Sequence, residues 1–154
     1  MKKFRYPMQS ILEIKRKLED QERSNYAAAQ MRLNEENEKL AELSRRREEY
    51  EDRLRGRVGR RLVPAEMRRD QEAVEVMKLL IRQQTVQVRK AEQNVEAAVH
   101  RLRNAMIERK TQERLREKAF AEYLGEMEAE EQKEIDERVS FQHGAQNAVP
   151  EMLE

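Results

Sequence analysis

The amino-acid sequence predicts an all-α fold, namely a long antiparallel two-helix coiled-coil hairpin with an overhanging carboxyl-terminal helix. Charged residues make up 41% of the 154 residues and aromatic residues 5%, a composition typical of long solvated helices. Two long stretches, residues 8–55 and 65–124, contain neither Gly nor Pro. Within both stretches, residues suited to a buried seam recur at steps of three and four, which is coiled-coil spacing.

The first helix is predicted over residues of about 5–55, with Pro7 near its start. In its later part, one frame of three-four spacing contains Leu33, Glu36, Leu40, Leu43, Arg47, Tyr50 and Leu54. In its first part, a shifted frame contains Phe4, Met8, Ile11, Lys15 and Leu18. We expect one extra residue of phase near Tyr26 and Ala29 to join the two frames.

The turn is predicted over residues of about 56–64, which include Gly56, Gly59 and Pro64, and Pro64 suits the first turn of a helix. The second helix is predicted over residues of about 65–140. One of its heptad positions is apolar throughout: Met67, Val74, Ile81, Val88, Val95 and Leu102. The complementary position is mostly small: Met77, Gln84, Ala91, Ala98 and Ala105. Residues 1–140 are therefore expected to form one coiled-coil domain, followed by a disordered tail over 141–154.

Folding the chain back near residue 60 places residues opposite each other when their numbers sum to about 120. The resulting pairs are Leu54 with Met67, Leu43 with Met77, Leu40 with Ile81, Leu33 with Val88, and Leu18 with Leu102. The paired part is expected to end near Arg116, opposite Phe4, so that about 20 residues from Glu117 onward overhang. Pairing of each stretch with another chain, in a parallel dimer, is the alternative interpretation.

The sequence predicts no enzyme, no cofactor and no metal site. The chain has no Cys, its two His residues are 43 positions apart at His100 and His143, and its four Gly residues form no phosphate-binding loop. No apolar run approaches the length of a membrane span, so no direct membrane insertion is expected. These features are typical of a protein of the cytosol that acts by binding.

Charge is locally uneven although the net charge is +1. The predicted turn is basic, with Arg53, Arg55, Arg57, Arg60 and Arg61. It is either a solvated turn or a contact for an acidic protein surface or RNA. The overhang is acidic between residues 117 and 137, and a basic band lies just before it at Arg109, Lys110, Arg114 and Arg116. Apolar and aromatic residues are expected to gather at the end of the hairpin opposite to the turn: Phe4, Tyr6, Phe120, Tyr123 and Leu124.

Two segments resemble the flagellar export protein FliJ family, the small coiled-coil component of the flagellar type III secretion ATPase complex. The first is FRYPMQSILEIKRKLEDQE at residues 4–22. The second is ERKTQERLREKAFAEYLGEMEAEEQKEIDE at residues 108–137, with its ERK, LREK and QKE elements in order.

The resemblance implies a non-enzymatic protein that is similar to the central shaft of rotary ATPases and has no cofactor. It implies that the termini end sits in the hexameric export ATPase FliI and promotes ring assembly. Further implied partners are the export gate protein FlhA, the export chaperones and the ATPase regulator FliH, at the cytoplasmic face of the flagellar base. No nucleic acid is expected as a partner.

By position, the resemblance implies two sets of contact residues. The expected ring-facing residues are Phe4, Arg5, Arg109, Lys110, Arg114 and Arg116. The expected gate-facing residues are Leu43, Arg46, Tyr50 and Val74. A stalk protein of a virulence type III secretion system would share this architecture. A general coiled-coil scaffold, or an RNA-binding hairpin that uses the basic turn, is the alternative from another functional class.

Overall fold

The protein consists of two helices in a computed structural model that describes residues 2–57, 59 and 61–152, with side chains as far as residue 146. Helix α1 spans Gln9–Arg57 and helix α2 spans Pro64–Met152, and the described residues form no strand. The chain divides into two compact units. The terminal unit comprises Met1–Arg16 with Ile107–Glu154, and the middle unit comprises Lys17–Met106. The two helices pack against each other, which confirms the predicted all-α helical hairpin.

Helix α1 begins at Gln9, later than the predicted start near residue 5. Residues 2–6 are not helical, and Pro7 and Met8 form a turn in which the Gln9 amide donates to the Tyr6 carbonyl at 3.1 Å. A proline disfavours the helical conformation of the residue before it, which explains why the helix cannot extend back through Tyr6. At its other end α1 continues to Arg57, slightly beyond the predicted boundary near residue 55.

Helix α2 begins at Pro64, where the missing amide hydrogen of proline costs no intrahelical bond. The amides of Glu66 and Met67 both donate to the Val63 carbonyl at 3.1 Å, which closes the first turn. The helix continues to Met152 rather than ending near residue 140. One Gly weakens a helix by about 1 kcal/mol without ending it, and the residues around Gly144 are compatible with a helix. Disorder of residues 141–154 in solution stays a prediction, and residues 153 and 154 lie outside the described residues.

The seam of the middle unit follows the predicted heptads of α2. Its buried apolar side chains are Val74, Val88, Ala91, Ala98 and Ala105. The intervening seam residues Met67, Met77, Ile81, Gln84, Val95 and Leu102 are all half-buried. The side chains of Glu36 and Gln84, whose numbers sum to 120, form a hydrogen bond across the two helices. This contact confirms the predicted antiparallel register in the middle unit.

A polar layer interrupts this seam at Glu36, whose side chain is 4% exposed. The Gln84 amide donates to the Glu36 carboxylate at 2.5 Å and to the Glu36 backbone carbonyl at 2.9 Å. Arg32 lies 2.8 Å and Lys39 3.6 Å from the same carboxylate. The hydrogen bond from Gln84, together with the two cations, holds the pKa of Glu36 below its ordinary value of 4.5.

Ionised Glu36 is therefore expected to stabilise the folded chain above pH 4.5, and this stabilisation disappears as the pH falls through the lower folded-state pKa. The Glu36→Gln variant should melt below the unmodified protein at pH 7, and the difference should shrink towards pH 3. Thermal melting followed by circular dichroism measures this difference. Glu35→Gln, at an exposed neighbouring position 3.8 Å from the same Arg32, is the control and should melt close to the unmodified protein at pH 7.

The predicted shifted frame at the start of α1 is wrong. Leu12 is fully buried, whereas Ile11 is 38% and Leu18 is 45% exposed, so Leu18 does not pair with Leu102. One unbroken heptad frame instead occupies the buried or half-buried positions: Leu12, Lys15, Glu19, Glu22, Tyr26, Ala29 and Leu33.

Ion pairs explain how acidic residues occupy this frame. Arg23 lies 2.9 Å from the Glu19 carboxylate, and Arg101 of α2 lies 3.5 Å from the Glu22 carboxylate. A buried carboxylate that has a cation beside it is tolerated in a seam, so no change of phase near Tyr26 is needed.

Arg57, the last residue of α1, connects the two helices beside the turn. Its guanidinium lies 3.1 Å from both the Glu66 and the Asp70 carboxylates in the first turns of α2. Asp70 is 7% exposed and occupies a seam position, so Arg57 supplies the charge that compensates a buried acid.

Replacing Arg57 by methionine is expected to lower the free energy of unfolding by about 1–3 kcal/mol, because Asp70 would stay buried without its cation. Urea unfolding followed by circular dichroism measures the loss. Combining Arg57→Met with Asp70→Leu should recover most of it. A double variant as unstable as the single one would contradict this role for the pair.

Candidate functional site

The segment before α1 lies along α2 in the terminal unit and is held there by polar contacts. The Tyr6 hydroxyl donates to the Gln112 side-chain carbonyl at 3.1 Å, and the Tyr123 hydroxyl donates to the backbone carbonyl of Lys2. Within α1, Lys15 forms an ion pair with Glu108 at 2.9 Å. The first residues of the chain are therefore fixed against α2 although they are not helical.

Three aromatic rings, which we call the terminal cluster, pack together here: Phe4, Phe120 and Tyr123. The Phe4 ring centroid lies 5.1 Å from that of Phe120, edge to face, and 5.5 Å from that of Tyr123. The Arg116 guanidinium lies 5.7 Å from the Phe4 ring centroid and donates to the Gln9 side-chain carbonyl at 3.1 Å. Phe120 is still 44% exposed, so the cluster has an open apolar edge.

The position of the cluster corrects the predicted start of the overhang. Phe4 contacts Phe120 and Tyr123 rather than Arg116 alone, because a non-helical segment covers up to about 3.3 Å per residue against about 1.5 Å in a helix. Met127 is still half-buried. From Glu128 to Gln146 every side chain is exposed, so α2 is unaccompanied from about Glu128 rather than from Glu117.

The six residues predicted to face a ring all lie in the terminal unit, and they divide into three groups. Arg5, Lys110 and Arg114 are exposed and form no ion pair with any described residue. Phe4 belongs to the terminal cluster, and Arg116 contacts the Phe4 ring and the Gln9 side chain. Arg109 is half-buried and pairs with Glu113 at 2.9 Å, so its charge is partly used within the chain.

A shallow groove brings Arg5 together with Phe4 and Arg116. Its lining consists of Phe4, Arg5, Tyr6, Gln9 and Arg116. The groove thus combines two aromatic rings with two guanidinium groups, a combination that favours contact with a protein surface carrying carboxylates and apolar side chains.

The four residues predicted to face a gate lie in the middle unit, and the structure brings two of them to one open groove. Leu43 and Arg46 line it together with Glu35, Glu38, Lys39, Glu42 and Gln84. Arg46 lies 3.3 Å from Glu42, and a hydrogen bond from Arg45 keeps the pKa of Glu42 below its ordinary value.

Tyr50 and Val74 are placed differently. Tyr50 is half-buried, and the Arg53 guanidinium lies 5.3 Å from its ring centroid. Val74 is 7% exposed in the seam, so its side chain supports the surface from beneath rather than forming it.

The arginines of the predicted basic turn are largely engaged within the chain. Arg55 pairs with Asp52 at 2.6 Å, Arg57 pairs with Glu66 and Asp70, and Arg53 stacks on Tyr50. Arg61 is exposed, and Arg60 lies outside the described residues. This part of the chain therefore offers little unpaired charge for phosphate contacts.

Comparison with known proteins identifies the family. The chain matches the family described as "Flagellar FliJ protein" over residues 4–148. The chain belongs to the flagellar FliJ family. It is thereby a coiled-coil protein associated with type III protein export. No curated protein sequence matches it.

The fold of this FliJ-family chain has a counterpart among solved structures. It is similar to CT670 from Chlamydia trachomatis, described as a homolog of YscO, with a TM-score of 0.50 and 22% identity. The similarity covers 96% of this chain and 99% of CT670. At this identity the comparison supports the shared two-helix fold.

The sequence predicted the aromatic residues of this site in the FliJ-family chain but missed its polar contacts. Gln9 and Gln112 position Arg116 and Tyr6, yet nothing distinguishes them from other glutamines along the helices. Among the described residues, no group of three His, Asp or Glu side chains could hold a metal ion. In that same part of the chain, neither helix has a stretch long and apolar enough to cross a lipid bilayer.

Proposed function

We propose that this chain acts as a central stalk that binds the hexameric export ATPase FliI through its terminal unit and promotes ring assembly. The observation that supports this proposal is the exposed, unpaired set Arg5, Lys110 and Arg114, which lies in the same unit as the partly exposed terminal cluster. Free cations add electrostatic attraction to an acidic partner, and aromatic side chains add buried contact area. The chain has no chemistry of its own in this proposal.

The same proposal assigns the groove of the middle unit to the export gate. Leu43 and Arg46 would contact FlhA, with Tyr50 beside them and Val74 as internal support. The groove combines an apolar side chain with charges of both signs, which suits a transient protein contact. Export chaperones and the regulator FliH are further proposed partners, at the cytoplasmic face of the flagellar base.

ATP hydrolysis by the purified cognate ATPase, with and without this chain, tests the proposal, together with electron microscopy of ring formation. We expect stimulation and more rings. Reversing Lys110 and Arg114 to Glu should weaken ring binding by about tenfold at low salt, because two attractive charges become repulsive. These two residues are chosen because neither has an intrachain ion pair among the described residues, so their reversal should leave the fold intact.

Reversing two exposed cations of the middle unit, Arg68 and Arg69, is the matched control and should leave stimulation unchanged. Equal loss in both double variants would indicate non-specific attraction between the ring and any cation. No binding by the unmodified chain would contradict the stalk function itself.

A further inference from the structure

Helix α2 has a second stripe of apolar residues, on the side opposite to the seam in the middle unit. Val76, Leu79 and Val86 are 51%, 49% and 48% exposed. With Gln83 they follow steps of three, four and three, which is the spacing of a coiled-coil seam. An exposed stripe with this spacing favours another helix as its occupant.

The stripe is also poor in charge, in a chain of which 41% of residues are charged. Continued at the same spacing as far as Ala97, it contains a single ionisable residue, and every member is exposed: Val76, Leu79, Gln83, Val86, Lys90, Gln93 and Ala97. A helix face that only contacts water has no reason to lack charge in a chain this polar. We call these seven residues the outer stripe.

We propose that the outer stripe pairs with the outer stripe of a second copy of this chain, antiparallel, about a two-fold axis at Gln83. A face that is almost uncharged can contact its own copy without repulsion between like charges. The proposal concerns the free chain and does not depend on the proposed binding to the ATPase.

The intrachain seam suggests the register of this pair. There Glu36 contacts Gln84, and each lies three residues after a large apolar seam residue, Leu33 or Ile81. Gln83 lies four residues after Leu79 and three before Val86, so a polar layer at Gln83 would likewise have an apolar layer on each side, formed by Leu79 of one copy and Val86 of the other. The same register sets Val76 against Lys90 of the second copy, whose aliphatic stem can cover the valine.

Charges and amides support the antiparallel direction. Lys90 forms no ion pair with a described residue, and Glu75 is 71% exposed in a pair with Lys78 at 3.3 Å. The proposed register brings Glu75 of the second copy beside Lys90, whereas a parallel pair would set Lys90 against Lys90. At the axis, two Gln83 amides can each donate and accept a hydrogen bond.

Because the chain has no cysteine, single thiols can test this geometry directly. Under mild oxidation, Gln83→Cys is expected to form a disulfide dimer. Val76→Cys alone should not, whereas a mixture of Val76→Cys and Lys90→Cys should cross-link. Failure of Gln83→Cys to cross-link, or efficient cross-linking of Val76→Cys alone, would overturn the proposed pair or its direction.

Sedimentation equilibrium of the unmodified chain provides the second measurement, and we expect a reversible dimer of the 18.5 kDa chain. Leu79→Glu with Val86→Glu should weaken dimerisation at least tenfold without changing helix content or melting temperature. Met31→Glu, at a 64% exposed apolar residue of α1, is the control and should dimerise normally. A chain that stays monomeric, or a double variant that dimerises like the control, would overturn the proposal. The proposal would also be overturned if the double variant lost only the binding of an export partner and kept normal dimerisation.

Discussion

Replacing Leu12 by alanine is expected to lower the free energy of unfolding by about 2–4 kcal/mol, the usual range for a large core residue truncated to alanine. Leu12 is fully buried and is the largest such side chain among the described residues. It lies one turn from Gln9 and Lys15, which contact Arg116 and Glu108 of α2. These contacts fix the spacing between the two helices, so the cavity left by the truncated Leu12 side chain would persist. Urea unfolding followed by circular dichroism measures the loss.

Ile11→Ala is the matched control for this prediction. Ile11 has the same number of carbon atoms as Leu12 but is 38% exposed, so its truncation should cost about 1 kcal/mol or less. The sequence-based frame assigns Ile11 to the seam and leaves Leu12 outside it. A larger loss for Ile11→Ala than for Leu12→Ala would therefore restore that frame and contradict the structure.

The seam of α2 could be predicted residue by residue, whereas the beginning of α1 could not. From Met67 to Ala105 the seam positions are apolar or small with few exceptions, so the heptad is visible without a partner. In α1 the true frame passes through Glu19 and Glu22, while Ile11 and Leu18 offer an apolar alternative. Hydrophobic spacing alone prefers the alternative, since ion pairs such as Glu22 with Arg101 appear only once the helices are placed side by side.

The candidate site, too, could be predicted from the sequence only in part. The terminal cluster was predictable because Phe4 and Phe120 lie near the ends of the paired segments. The extent of the overhang was not, since the non-helical conformation of residues 2–8 decides how far Phe4 reaches along α2. The burial of Val74 could not be predicted either. An apolar residue buried in the seam and an apolar residue exposed for a partner look alike in sequence.

Replacing Phe4 by alanine is expected to weaken binding to the export ATPase by about 30-fold. That factor corresponds to about 2 kcal/mol, the loss typical of an aromatic residue at the centre of an interface. Phe4 contacts both Phe120 and Tyr123 and lies under Arg116, so its removal would take away the central ring of the terminal cluster, while the hydrogen bond from Tyr6 to Gln112 would still hold the first residues against α2. Titration of the ATPase with this chain, read out as stimulated hydrolysis, measures the change.

Stability and binding can be separated in this variant because Phe4 precedes α1 and lies outside the helical seam. Its melting temperature should fall by about 2–4 °C, the shift expected for about 1 kcal/mol in a chain of this size. Phe141→Ala is the matched control, since Phe141 is 79% exposed and makes no ring contact among the described residues. A Phe4→Ala chain that still stimulates fully would remove the terminal cluster from the interface and leave the unpaired cations as the contact.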